Sequence, residues 1–137
     1  MNAGERVFVD TGAWVGMAVS ADRHHEVALE GWDKIMRAGA VPVTSHPVVI
    51  ETFTYLQRSQ VSPLAQVWVS QVNGYARLVV LELTSPDLAA AWPGLERPEL
   101  PKLGIVDATS FALMKKHRIR TAFTFDRHFA LAGFRML

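Results

Sequence analysis

Three observations predict an α/β fold, with a parallel sheet and helices on both faces. Short runs rich in consecutive apolar residues, at 7–9 and 78–81, have the signature of strands covered on both sides. Longer stretches between such runs carry apolar residues at helical spacing. Strand and helix alternate along the chain, which is the order that builds a parallel, doubly wound sheet.

The bulk numbers narrow the classes. A chain of 137 residues, half of them apolar, fits one compact domain over residues 1–137. Without cysteine there is neither a disulfide nor a thiolate zinc site. The opening MNAGERVFVDTGAW has an apolar run too short, and too soon interrupted by Asp10, for a signal peptide or membrane span. The expectation is a soluble cytoplasmic protein with no membrane partner. A net charge of +1 neither demands nor excludes a nucleic-acid partner.

The first strand, residues 6–9, ends on Asp10. A carboxylate straight after a buried strand is costly unless it caps, pairs or binds a cation. Taken alone, capping of the next helix by Asp10 or Thr11 is slightly favoured. Residues 22–38 predict an amphipathic helix with Val27, Trp32, Ile35 and Met36 on its apolar side and Gly39 as its stop. His24 and His25 are adjacent and cannot face one metal, so they are read as surface residues. Residues 40–44 form a second strand, and Ser45-His46-Pro47 starts the helix that carries Glu51. Glu51 lies three residues after Val48 and four before Tyr55, beside the apolar stripe. An ion pair with Arg58 and a metal-ligand role explain it equally well.

Ser62 and Pro63 mark a further helix, ended by Asn73 and Gly74, and residues 77–83 give a third buried strand. Val61, Leu64 and Trp68 are candidates for a dimer surface. Ser85-Pro86 opens a short helix, and residues 92–102, with three prolines, form a loop. Asp107 then stands where a helix begins, with Phe111 and Met114 at i+4 and i+7. Residues 121–125 form the last strand, which delivers Asp126 to its carboxyl end, where ligands bind in open α/β sheets. A brief apolar tail follows.

Asp10, Glu51, Asp107 and Asp126 each have a separate structural explanation, but one shared cation is more economical than four. Carboxylates brought together repel, and a divalent ion turns that repulsion into coordination. Oxygen-only ligands suit Mg²⁺ or Mn²⁺, and such a centre points to phosphoryl or phosphodiester hydrolysis.

VFVDTGAW with Asp10, VVIETFTYL with Glu51, VDATSFALM with Asp107 and AFTFDRHF with Asp126 together resemble the PIN-domain ribonucleases, especially VapC-type toxins of bacterial toxin-antitoxin modules. No single motif is specific; the four in this order are. The resemblance implies a Rossmann-like sheet, Mg²⁺ or Mn²⁺ dependence, an RNA substrate, homodimerisation and inhibition by a cognate antitoxin. It makes the four acids catalytic metal ligands, and Thr11 and Thr124 the hydroxyls that orient them. It also implies in-line attack of water on phosphorus, giving a 5′-phosphate and a 3′-hydroxyl. Gly104 departs from the pattern, since many relatives carry serine there.

Arg127, beside the fourth acid, is the stronger candidate for RNA contact. Lys115 and Lys116 are weaker ones, because cations at a helix C-terminus are favourable with or without a ligand. Trp14 reads as core before it reads as a base platform. Alternatives are a PIN nuclease of RNA processing without an antitoxin and a catalytically silent Mg²⁺-binding interaction module. A phosphohydrolase using the first acid as nucleophile would want a second aspartate where Gly12 stands.

Overall fold

The computed structural model describes residues 1–59 and 63–137. The expected helix start at Ser62 and the candidate contact residue Val61 lie outside the described residues. Among those described there are five strands, seven α-helices and a 3-10 helix. In chain order they are β1 (Arg6–Val9), α1 (Thr11–Ala18), α2 (His25–Arg37), β2 (Val41–Ser45), α3 (His46–Arg58), α4 (Leu64–Gly74), β3 (Val79–Leu81), α5 (Ser85–Ala91), the 3-10 helix Trp92–Glu96, α6 (Ile105–Lys116), β4 (Thr121–Phe123), α7 (His128–Leu131) and β5 (Arg135–Met136).

All strands are parallel, in the order β3-β2-β1-β4-β5. The chain therefore builds outwards from β1 in one direction and then, from β4, in the other. Beside β1, at the carboxyl ends of the strands, the reversal opens a crevice. β1 is buried on both faces, with Val7, Phe8 and Val9 fully covered, as its uninterrupted apolar run requires. Thr44 ties this centre together: its Oγ1 donates to the Val9 carbonyl at 3.1 Å and accepts from Trp14 Nε1 at 3.3 Å. Trp14 is core, edge-on to Trp68 at 5.8 Å.

Several elements differ from the sequence expectation for identifiable reasons. β3 is an edge strand, so Val79 and Val80 are both 40% exposed although their sequence reads as buried. β4 stops at Phe123, and the next residue, Thr124, uses its hydroxyl to bond the Asp10 carboxylate and the Asp126 backbone N–H. The apolar tail is α7 and β5, and the two-residue β5 is too short to show a period. The stretch after α5 begins as a 3-10 turn, not as loop. α2 starts at His25, and it buries Ala28, Gly31 and Ile35 while Val27 is exposed. The reason is closeness: a Cβ on Gly31 would come within 2.7 Å of the Phe123 ring, so only glycine lets α2 approach β4 here.

Candidate metal centre and cleft

Four elements deliver the acids. Asp10 follows β1 and occupies the position before α1, but its side chain makes no capping bond among the described residues. Glu51 comes from the middle of α3, Asp107 from the first turn of α6, and Asp126 from the turn after β4. All four line one open cavity of about 560 Å³ at the carboxyl ends of β1 and β4, with Thr11, Arg127 and His128. Glu51 is exposed on the cavity wall, farther out than an inward-leaning residue would be, and no ion pair with Arg58 forms among the described residues.

Asp10 is 4% exposed. Its Oδ2 accepts from Thr124 Oγ1 at 2.9 Å, and the same Oγ1 accepts from the Asp126 backbone N–H at 3.0 Å. One hydroxyl therefore fixes the spacing of two acids. Asp10 Oδ1 and Thr11 Oγ1 are buried with no hydrogen-bond partner among the described residues. Burial, with the nearby charges of Glu51 and Asp126, pushes the Asp10 carboxyl up to about 6. Burial and the charges of Asp10 and Asp126 push Asp107 further, to about 8, and it shares a hydrogen bond with Asp126. Asp126 goes the other way. Its own burial raises it, but the His128 backbone N–H, the His128 ring and Asp107 together hold it below the usual range.

His128 Nδ1 lies 2.7 Å from Asp126 Oδ1, and Nε2 lies 2.8 Å from the Pro101 carbonyl. The carbonyl first, and then the carboxylate, raise the histidine's pKa, because both acceptors favour a ring protonated on both nitrogens. Held this way, His128 anchors Asp126, and both of its ring nitrogens are engaged.

Among the described residues, no three of the histidines and acids already stand at metal-ligating distance. The site nonetheless fits a divalent cation. Its donors are all oxygen, one buried carboxylate oxygen has no partner, and two carboxyls are raised by burial first and then by the charge of neighbouring acids.

Lys115 and Lys116 do not join the cleft. They end α6, about 12 Å along its axis from Asp107 at 1.5 Å per residue. Lys116 Nζ is bound to the buried Asp87 at 3.0 and 3.2 Å, which gives it a structural role. Arg23, His24 and Phe125 also line the cavity, although from sequence His24 reads as a surface residue and Arg23 and Phe125 have no place in the site. Nothing in their spacing signals this, since some hundred residues separate His24 from Phe125.

Comparison with known proteins agrees with this geometry. Residues 7–135 match the PIN domain family. The chain is 36% identical over 131 residues to the 23S rRNA-specific endonuclease VapC20 of Mycobacterium tuberculosis, covering 93% of this chain and 95% of that one. The crystal structure of that protein, described as a Sarcin-Ricin loop cleaving toxin, superposes with a TM-score of 0.84 at 32% identity, over 93% of this chain and 95% of the other. VapBC2 from Rickettsia felis, solved bound to a DNA fragment from its promoter, shares the fold at a TM-score of 0.71 and 13% identity, over 96% of this chain and 97% of the other. With its parallel sheet, its acid-lined crevice and these relatives, the chain belongs to the PIN-domain family of nucleases, and within it to the VapC type.

Proposed function

We propose that this chain is a Mg²⁺- or Mn²⁺-dependent endoribonuclease, working as one PIN domain over residues 1–137 and as the toxin of a type II toxin-antitoxin pair in the cytoplasm. The observation that carries the chemistry is the arrival of four acids from four elements in one cavity, with a buried Asp10 oxygen unpartnered. The relative that cleaves 23S rRNA supports RNA as the substrate and rRNA as the first RNA to try. The family supports a cognate antitoxin and a homodimer.

Asp10, Glu51, Asp107 and Asp126 would hold the metal. When bound, it polarises the scissile phosphate and lowers the pKa of water, so that hydroxide is available at neutral pH. Thr124 keeps Asp10 and Asp126 at a fixed spacing, and His128 locks the Asp126 carboxylate. Arg127, exposed at the cavity rim, neutralises phosphate charge that the acids would otherwise repel. Water oxygen forms the new bond to phosphorus as the bond to the 3′-oxygen breaks. The proton ends on that oxygen, leaving a 5′-phosphate and a 3′-hydroxyl.

The test is cleavage of total RNA and of isolated 23S rRNA with Mg²⁺, Mn²⁺ or EDTA, beside Asp107→Asn. Metal-dependent cuts that vanish in the folded variant support the reading. Cutting that persists in EDTA, or equally in the variant, overturns it.

A further inference from the structure

Part of the cleft wall is built by residues that are not among the four acids: Arg23, His24 and Phe125. The His24 ring lies parallel to the Phe125 ring, with centroids 4.1 Å apart and planes within 5°. Arg23 Nε donates to His24 Nε2 at 3.2 Å, so this nitrogen acts as an acceptor and the ring is held in one orientation. The Asp22 carboxylate holds the His24 backbone N–H at 2.8 Å, and the His24 carbonyl accepts from Ala28 N–H at 2.8 Å, so the segment is fixed before α2 begins.

Both rings are only half-buried and both face the catalytic cavity. Phe125 sits between Thr124 and Asp126, one residue from each. Beside it, Gly12 also lines the cavity, and a Cβ there would lie 3.9 Å from Phe125 Cδ2. The missing side chain at position 12 leaves the phenyl edge open. Arg23 is exposed and forms no ion pair among the described residues, in a cleft whose centre is negative.

We propose that Arg23, His24 and Phe125 form the nucleotide-recognition wall of the cleft, where a nucleobase next to the scissile phosphate extends the His24–Phe125 stack and Arg23 takes a neighbouring backbone phosphate. This inference rests on the nuclease reading above. A flat, pre-ordered ring pair is what base stacking requires, because every base offers a π face and little ordering cost remains on binding. A single guanidinium beside it supplies the charge that the acids cannot.

The test is a fluorescence titration of the Asp107→Asn chain, which holds RNA without cutting it, with a single-stranded hexaribonucleotide carrying one 2-aminopurine. Binding quenches the probe. His24→Ala and Gly12→Leu each weaken binding roughly 5- to 100-fold and remove the quench, whereas His24→Tyr restores both. Arg23→Gln weakens binding and lowers its salt dependence while the quench survives. Unchanged quench and affinity in His24→Ala overturn the wall, as does a His24→Tyr chain no better than His24→Ala. The two readings fail separately. A parent chain that cuts RNA while the probe binds unquenched disproves the wall alone, and a quenched probe with a parent that never cuts disproves the nuclease alone.

Discussion

At the scale of the residue, the cleft is a store of negative charge whose cost depends on pH. Free carboxyls titrate near ~4, while Asp10 is raised to about 6 and Asp107 to about 8. Between those limits the folded chain holds protons that the unfolded chain has released, so these groups stabilise the fold most at low pH. That contribution is lost as pH rises through about 6 and then about 8. In EDTA the melting temperature should fall across this window, and Mg²⁺ should restore it at the upper end. Asp107→Asn should flatten the upper part of the profile while abolishing cleavage. If its melting temperature follows the parent's at every pH, the charge assigned to Asp107 is wrong. Thr124→Val keeps the shape but removes two hydrogen bonds, one to each acid. The expected result is a stability loss of about 1–3 kcal/mol and a roughly 10- to 100-fold fall in metal affinity or activity, read by denaturant titration and by cleavage rate. The four acids stood out in the sequence because each interrupts an apolar pattern. Thr124 did so only through family resemblance, and its bridging of Asp10 and Asp126 required the fold.

At the scale of the element, close packing sets the outcome. Gly31 lets α2 lie against β4, so Gly31→Ala should destabilise the chain by about 1–3 kcal/mol through overpacking. The gain in helix propensity, about 0.5–1 kcal/mol, runs the other way and is smaller. Equilibrium unfolding decides the sign. At the far end of α6, Lys116→Met should lower stability by leaving the buried Asp87 carboxylate with only the Thr84 N–H and no cation, yet leave RNA affinity unchanged. A drop in RNA affinity with unaltered stability would return Lys116 to the interface. Helices with a strong apolar stripe were readable from sequence. β3 was misjudged because exposure at a sheet edge leaves no trace in a Leu-Val-Val-Leu run, and β5 was missed because two residues carry no period.

At the scale of the molecule, alternation of strand and helix was enough to predict a parallel sheet, but not its order. The order β3-β2-β1-β4-β5 is what brings Asp10 and Asp126 side by side, since β1 and β4 are neighbours though far apart in sequence. That same arrangement governs when, along the chain, the proposed metal centre can first be complete. A growing polypeptide that has passed Asp10, Glu51 and Asp107 still lacks β4, and with it Thr124 and Asp126. Synthesis broken off anywhere before that strand yields a product without its fourth acid and without the hydroxyl that spaces the first. The ribosome therefore finishes nearly the whole chain before the proposed centre can assemble.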